Sequence, residues 1–65
     1  MFIKLTGIEG NDIFINVDKI MLIIPFSTRG HIEASIVDMG AGDYTRVSES
    51  PDMIMKIIER SKNET

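Results

Sequence analysis

Few side chains in this sequence have the type and spacing that acid–base chemistry or metal binding requires. The single histidine, His31, has no adjacent Ser or Cys and no second His, whereas imidazole catalysis needs a partner within hydrogen-bond reach. We therefore interpret His31 as a surface residue at the start of a strand. The carboxylates lack calcium-loop spacing and fall mostly at turns and before a helix: Asp12, Asp18, Asp38, Asp43, Glu49 and Asp52. The sequence predicts no enzyme, no metal site and no cofactor.

Tyr44 and Arg46 are the best candidates for contact with a partner or ligand. Two positions apart in a strand, they share one face and offer a ring and a guanidinium for stacking and charge pairing. Arg29 and His31 are further candidates. Between two subunits, symmetry would duplicate all four residues and supply a site for a small anionic ligand, which is one reading of the sequence. The segment Gly40-Ala41-Gly42 lacks the remaining elements of a phosphate loop, so it predicts a turn.

Five short segments with β-type alternation would position these side chains. Gly7 and Gly10-Asn11 favour a hairpin turn between the first two segments. The third segment is apolar on both faces, which suits a central strand or one covered by a neighbouring molecule, and Pro25 either ends it or lies at a sheet edge. The predicted strands are residues 2–6, 13–17, 20–24, 31–39 and 44–47.

Finer expectations concern the fourth strand and the second bend. We expect Ile32, Ala34 and Ile36 to point inward and Glu33 and Ser35 outward. Asp18 is expected to accept a hydrogen bond from a backbone N–H two residues on.

The C-terminal segment predicts an amphipathic helix from Pro51 to about Ser61, capped by Ser50, with Asp52 in its first turn. Its apolar stripe is Met53, Ile54, Ile57 and Ile58, and residues 62–65 are expected to fray. The predicted fold is mainly β, of the α+β class: a small, bent, antiparallel sheet of about five strands with one C-terminal helix.

Length and composition indicate a single small domain spanning residues 1–65 that needs additional stabilisation. With no cysteine, 43% hydrophobic residues and 65 residues in all, the chain has a thin core and no disulfide to support it. We therefore expect a homo-oligomer, with Met21 and Ile23 as possible interface residues. The formal charge of −3 disfavours attraction to phosphate backbones, so the sequence predicts against nucleic-acid binding. No long apolar run or export signal is present, which predicts a cytoplasmic protein without membrane insertion.

Three segments carry a resemblance to a known family. They are the opening Phe2-Ile3-Lys4-Leu5-Thr6, the bend Asn16-Val17-Asp18-Lys19-Ile20, and the ending from Val47-Ser48-Glu49-Ser50 into the Ile-rich helix. In these segments the chain resembles the FlbD/SwrD family of small flagellar and swarming-motility proteins and their uncharacterised relatives, some in mobile-element settings. Residues 26–42 are longer than the corresponding part of that family. The resemblance implies a fold more strongly than a motility role, and it brings no catalytic residues.

The leading functional hypothesis is a non-enzymatic binding or adaptor module that acts on a protein partner through a β-edge or an apolar groove. It is motility-related or mobile-element encoded if the resemblance extends to role. Two alternatives from other classes stay open. One is a small RNA-binding post-transcriptional regulator of CsrA-like architecture, and the other is the binder of a small anionic ligand at a subunit interface.

Overall fold

The predicted fold class is confirmed. The computed structural model describes residues 1–28 and 31–63, except for the side chains of Thr28 and residues 31–33. The described residues form five strands, a short 3₁₀ helix at Val17–Lys19 and one α-helix. The elements are β1 (Phe2–Thr6), β2 (Asp12–Asn16), β3 (Leu22–Thr28), β4 (His31–Gly40), β5 (Asp43–Val47) and α1 (Pro51–Asn63).

The strands form two antiparallel sheets that meet at one point. β1 pairs with β2, and the order of the second sheet is β3-β4-β5. An isolated antiparallel bridge between Gly7 and Val47 connects the end of β1 to the end of β5. The backbone N–H of Ser48 donates to the carbonyl of Thr6 at 2.7 Å beside this bridge. The two sheets therefore act as one strongly bent sheet with the order β2-β1-β5-β4-β3.

β3 lies at an edge of the second sheet, so it is not a central strand. Of the two expectations for Pro25, the edge position is confirmed, because the strand continues through Pro25 to Thr28. Proline is tolerated there since an edge strand needs hydrogen-bond donors on one side only. The ladder to β4 shifts register between Phe26 and Ser27, where β4 has one extra residue, Glu33, without a partner on β3.

The expected orientation of β4 is wrong by one residue. Ser35 and Val37 are fully buried, and Val37 belongs to the main core, whereas Ile36 is only half-buried and lies on the opposite face. Ser35 is satisfied there because its hydroxyl donates to the backbone carbonyl of Glu49 at 2.8 Å. Ala34 is buried outside the main core cluster. The side chains of Ile32 and Glu33 lie outside the described residues.

α1 packs its apolar stripe against the inner side of the bent sheet. Ile54 and Ile58 are buried, Ile57 is half-buried, and Met53 is exposed. The predicted cap is confirmed, because the Ser50 hydroxyl accepts a hydrogen bond from the backbone N–H of Met53 at 3.2 Å. The helix continues two residues beyond its expected end. The main core cluster is Ile3, Leu5, Ile15, Val37, Val47, Ile54 and Ile58.

The bend after β2 uses a different residue from the one expected. Asn16 provides the local side-chain cap, since its Oδ1 accepts from the backbone N–H of Asp18 at 3.1 Å. Asp18 instead faces the N-terminal amine of Met1 at 3.5 Å. Both groups are near solvent, so the ion pair contributes little to stability, and the Asn16 cap is what shapes the turn toward β3.

The turn between β4 and β5 places an alanine in a backbone conformation that other residue types adopt more readily. Ala41 has a φ of 55° and Gly42 a φ of 83°, the positive values that both central positions of a type I′ turn require. An alanine in this region costs about 1–2 kcal/mol, whereas asparagine tolerates it.

We expect Ala41→Asn to raise the melting temperature by about 4 °C, as a gain of ~0.5–1 kcal/mol would do in a domain of this size. A β-branched residue is still less compatible with positive φ, so Ala41→Val should lower it. Thermal denaturation followed by circular dichroism measures both changes. Equal melting temperatures for the two variants would contradict the assigned turn geometry.

Candidate functional site

The side of the β3–β4–β5 sheet that faces away from α1 carries a cluster of apolar and charged side chains. Strand register places Ile24 opposite Ile36, and Ile36 opposite Arg46. One step along, Asp38 lies opposite Tyr44. We call this surface the outer face and define it by Leu22, Ile24, Phe26, Ile36, Asp38, Tyr44 and Arg46.

A shallow concavity lies in this face. It has a volume of about 280 Å³ and is lined by Ile24, Ile36, Asp38, Tyr44 and Arg46. Two isoleucines form its apolar floor, while a carboxylate and a guanidinium stand at its rim. Ile24 is 42% exposed and Tyr44 61% exposed, so much of this surface is open to solvent. Exposed apolar patches bordered by polar groups are typical of interaction sites.

The guanidinium of Arg46 lies near an aromatic ring two strands away. Its Cζ atom lies 5.5 Å from the centroid of the Phe26 ring, within the range of a cation–π interaction. This contact crosses β4 and favours an arginine conformation that lies over the outer face.

Two of the four predicted contact residues lie together in the described part of the chain. Tyr44 and Arg46 share the outer face as expected. His31 starts β4 five positions before Ile36, so its backbone lies about 15 Å from the concavity at ~3.3 Å per residue. The side chain of His31 and the whole of Arg29 lie outside the described residues.

The two predicted interface residues differ in their environment. Met21 is 70% exposed, next to the start of β3. Ile23 is half-buried and packs against the core cluster, so a charge at this position would disturb the fold itself. The exposed apolar residues of β3 are its neighbours Leu22 and Ile24. Substitutions that test an interface at this strand therefore belong at Leu22.

Sequence reasoning missed the part of the site that β3 and β4 contribute. Ile36 was assigned to the interior, and Ile24 and Asp38 were not identified as contact residues. The apolar residues at positions 22, 24 and 26 alternate along β3 and could have indicated an apolar face. They form part of a site only because the strand register places them beside residues 36 and 46. That register depends on the β4–β5 turn and on a bulge between Asp38 and Gly40.

The carboxylates that the sequence singles out have structural roles in several cases. Asp38 accepts from the backbone N–H of Gly40 at 2.8 Å and shapes the bulge. Both carboxylate oxygens of Glu49 lie 2.9 Å from the backbone nitrogen of Thr6. Within residues 1–28 and 31–63, no group of three or more His, Cys, Asp or Glu side chains is placed to hold a metal ion.

The charge distribution on the outer face does not resemble a nucleic-acid groove. Arg46 is accompanied by Asp38 in the same concavity, so the cation has a carboxylate nearby. Proteins that bind nucleic acids instead gather several Lys and Arg side chains along the phosphate backbone. The arrangement favours contact with a surface that itself carries both apolar and charged groups.

Comparisons of this chain with known proteins found no significant match. No protein-family model matches it, and neither the curated proteins nor the solved structures include a significant match. In the described part of the chain, no helix has the length and apolar character needed to cross a membrane.

Proposed function

We propose that this protein is a non-enzymatic, homo-oligomeric binding module that docks a protein partner on its outer face. The observation that carries the proposal is the concavity that Tyr44 and Arg46 line together with the exposed Ile24 and the half-buried Ile36. Tyrosine and arginine are enriched among the residues that dominate the energy of protein interfaces. Both have large contact surfaces, and here both belong to one short strand.

The lining of the concavity suggests the chemistry of the partner. An aliphatic or aromatic side chain would cover Ile24 and Ile36 and remove apolar surface from water. Asp38 and Arg46 are suited to a basic and an acidic group on either side of that side chain. We therefore propose a partner segment with an apolar residue flanked by charges of both signs.

The resemblance to the FlbD/SwrD family supports a motility role as the more specific version of this proposal. Genes of the flagellar apparatus next to this one would support that version, and phage genes would count against it. A cytoplasmic location belongs to the same proposal. The general proposal and its motility-related version both place the partner on the outer face, and neither needs catalytic residues.

The proposal is tested by capture of partners from the native cell with variants of single exposed residues. Tyr44→Ser should weaken capture of a specific partner about 10-fold or more, as loss of an interface hot spot does. Phe14→Ser is the matched control, because Phe14 is a similarly exposed aromatic, at 65%, on the other sheet. It should leave capture unchanged.

Two results would contradict the proposal. One is the absence of any partner that depends on Tyr44, and the other is a partner lost with Phe14→Ser but retained with Tyr44→Ser. Circular dichroism of each variant checks that the fold is intact, which we expect because both side chains are exposed.

A further inference from the structure

The edge of β3 is open over its first half and protected over its second. Exposed sheet edges pair with other chains unless proline, charges or bulges prevent it. Pro25 provides that protection after Ile24, because it has no backbone N–H to donate. Before Pro25, residues 20–24 contain no charge, and in the described part of the chain β3 pairs only with β4. We call residues 20–24 the edge segment.

We propose that the edge segment pairs antiparallel with the same segment of a second copy about a twofold axis. The two three-stranded sheets would then continue into one sheet with the order β5-β4-β3-β3-β4-β5. Ile20 has an extended backbone at the end of the 3₁₀ helix, but it can contribute only its carbonyl, because its N–H already donates to the carbonyl of Val17 at 3.1 Å. This inference rests on the homo-oligomeric part of the proposed function and names the surface that forms the oligomer.

A second copy is the occupant that the chain's own properties favour. A twofold axis brings identical strands together antiparallel, which is the geometry of an isologous interface. The edge segment is uncharged, so two copies meet without like charges in opposition. The described residues bury only eight apolar side chains and the sequence has no cysteine, so association adds the burial that a small domain lacks.

The twofold axis should pass close to Leu22. In a sheet, residues that lie directly opposite each other point to the same face. The twofold axis of two identical antiparallel strands therefore passes through a residue that lies opposite its own copy, and not between two neighbouring residues. Leu22 is the centre of the edge segment, and pairing centred there avoids Pro25, which cannot donate a hydrogen bond. Ile20 would then lie opposite Ile24 of the second copy.

This arrangement gives the dimer two docking sites on one side. A twofold axis perpendicular to the sheet keeps both outer faces on the same surface. The two concavities, each centred near β4, would be three strand spacings apart across the sheet, or about 14 Å, and offset further along the strands because they lie to one side of Leu22. A partner with two suitable side chains at that spacing would engage both copies at once and gain from the raised effective concentration.

Sedimentation of the whole protein at high micromolar concentration tests the pairing. Wild type should be a dimer, and Leu22→Lys should weaken association about 10-fold or more, because it places two like charges at the axis. Leu22 is 56% exposed, so the substitution should leave the circular dichroism spectrum unchanged. Phe14→Lys, an equally exposed position on the other sheet, is the control and should remain dimeric.

Cysteine crosslinking provides a second measurement that does not depend on affinity. Since the chain contains no cysteine, a single introduced cysteine can form a disulfide only with the same cysteine of a second copy. Directly opposed residues of antiparallel strands lie about 4.5–5.5 Å apart between Cα atoms, which suits a disulfide. Leu22→Cys should therefore give an oxidised dimer, whereas Phe14→Cys should not.

The outcomes separate this inference from the proposed function. A monomeric wild type, or a dimer that survives Leu22→Lys, overturns the pairing even if Tyr44→Ser still abolishes partner capture. A monomer that loses its partner with Leu22→Lys also overturns it, because Leu22 then contacts the partner and not a second copy. A dimer that depends on Leu22 supports the pairing even if no partner depends on Tyr44.

Discussion

Replacement of Ile54 by alanine should unfold a large fraction of the protein at room temperature when its concentration is low. Ile54 is fully buried at the centre of the contact between α1 and the bent sheet. Removing three carbons from such a site costs about 2–5 kcal/mol, since the cavity is only partly filled by relaxation. A core of this size, without disulfides, supplies little more than ~3–5 kcal/mol in total.

Urea denaturation measures the effect as a lower midpoint with a similar slope. Met53→Ala is the matched control, because Met53 precedes Ile54 in the helix but is 48% exposed. It should cost less than about 1 kcal/mol, as most surface substitutions do. Comparable losses in the two variants would mean that α1 does not pack through the face described above.

Local patterns in the sequence were sufficient to predict most of the elements of this fold. The hairpin at Gly7 and Gly10, the turn at Gly40 and Gly42 and the cap at Ser50 each rest on conformational preferences of one or two residues. Such preferences act within a few positions, so they can be recognised without knowledge of the rest of the chain. The order and type of the elements followed from them.

The face of β4 could not be determined in the same way. Ile36 and Val37 are neighbours of similar hydrophobicity, so alternation alone gives no preference between them as the buried residue. The observed face buries Ser35, which is possible because its hydroxyl donates to the carbonyl of Glu49, fourteen residues away. A polar residue buried by one distant partner carries no local signal, and the expected orientation was therefore wrong.

The candidate site shows the same division between local and distant information. That Tyr44 and Arg46 share a face follows from a spacing of two in one strand. That Arg46 lies over Phe26 depends on three strands in register, with a bulge in each of the two ladders. The sequence could thus predict the pair of contact residues but not the apolar floor they border.

Replacement of Glu49 by alanine should lower the stability by about 2 kcal/mol, a large loss for a partly exposed residue. Both carboxylate oxygens of Glu49 accept from the N–H of Thr6 at 2.9 Å, across the point where the two sheets meet. Hydrogen bonds to charged groups contribute about 1.5–3 kcal/mol. The neighbouring residues also hold this joint, because the Ser48 hydroxyl donates to the Gly7 carbonyl at 3.1 Å and Val47 is fully buried.

The motif Val47-Ser48-Glu49-Ser50, which contributes to the family resemblance, thus has a structural role at each position in this chain. Thermal denaturation should show Glu49→Ala melting about 10 °C below wild type. Glu49→Gln retains one uncharged acceptor and should fall between the two. Glu59→Ala removes the same side chain from an exposed position on α1 and should change the melting temperature little. If Glu49→Ala and Glu59→Ala melt alike, the carboxylate does not stabilise the joint, and the bridge between Gly7 and Val47 must be held by the backbone, the Ser48 hydroxyl and Val47.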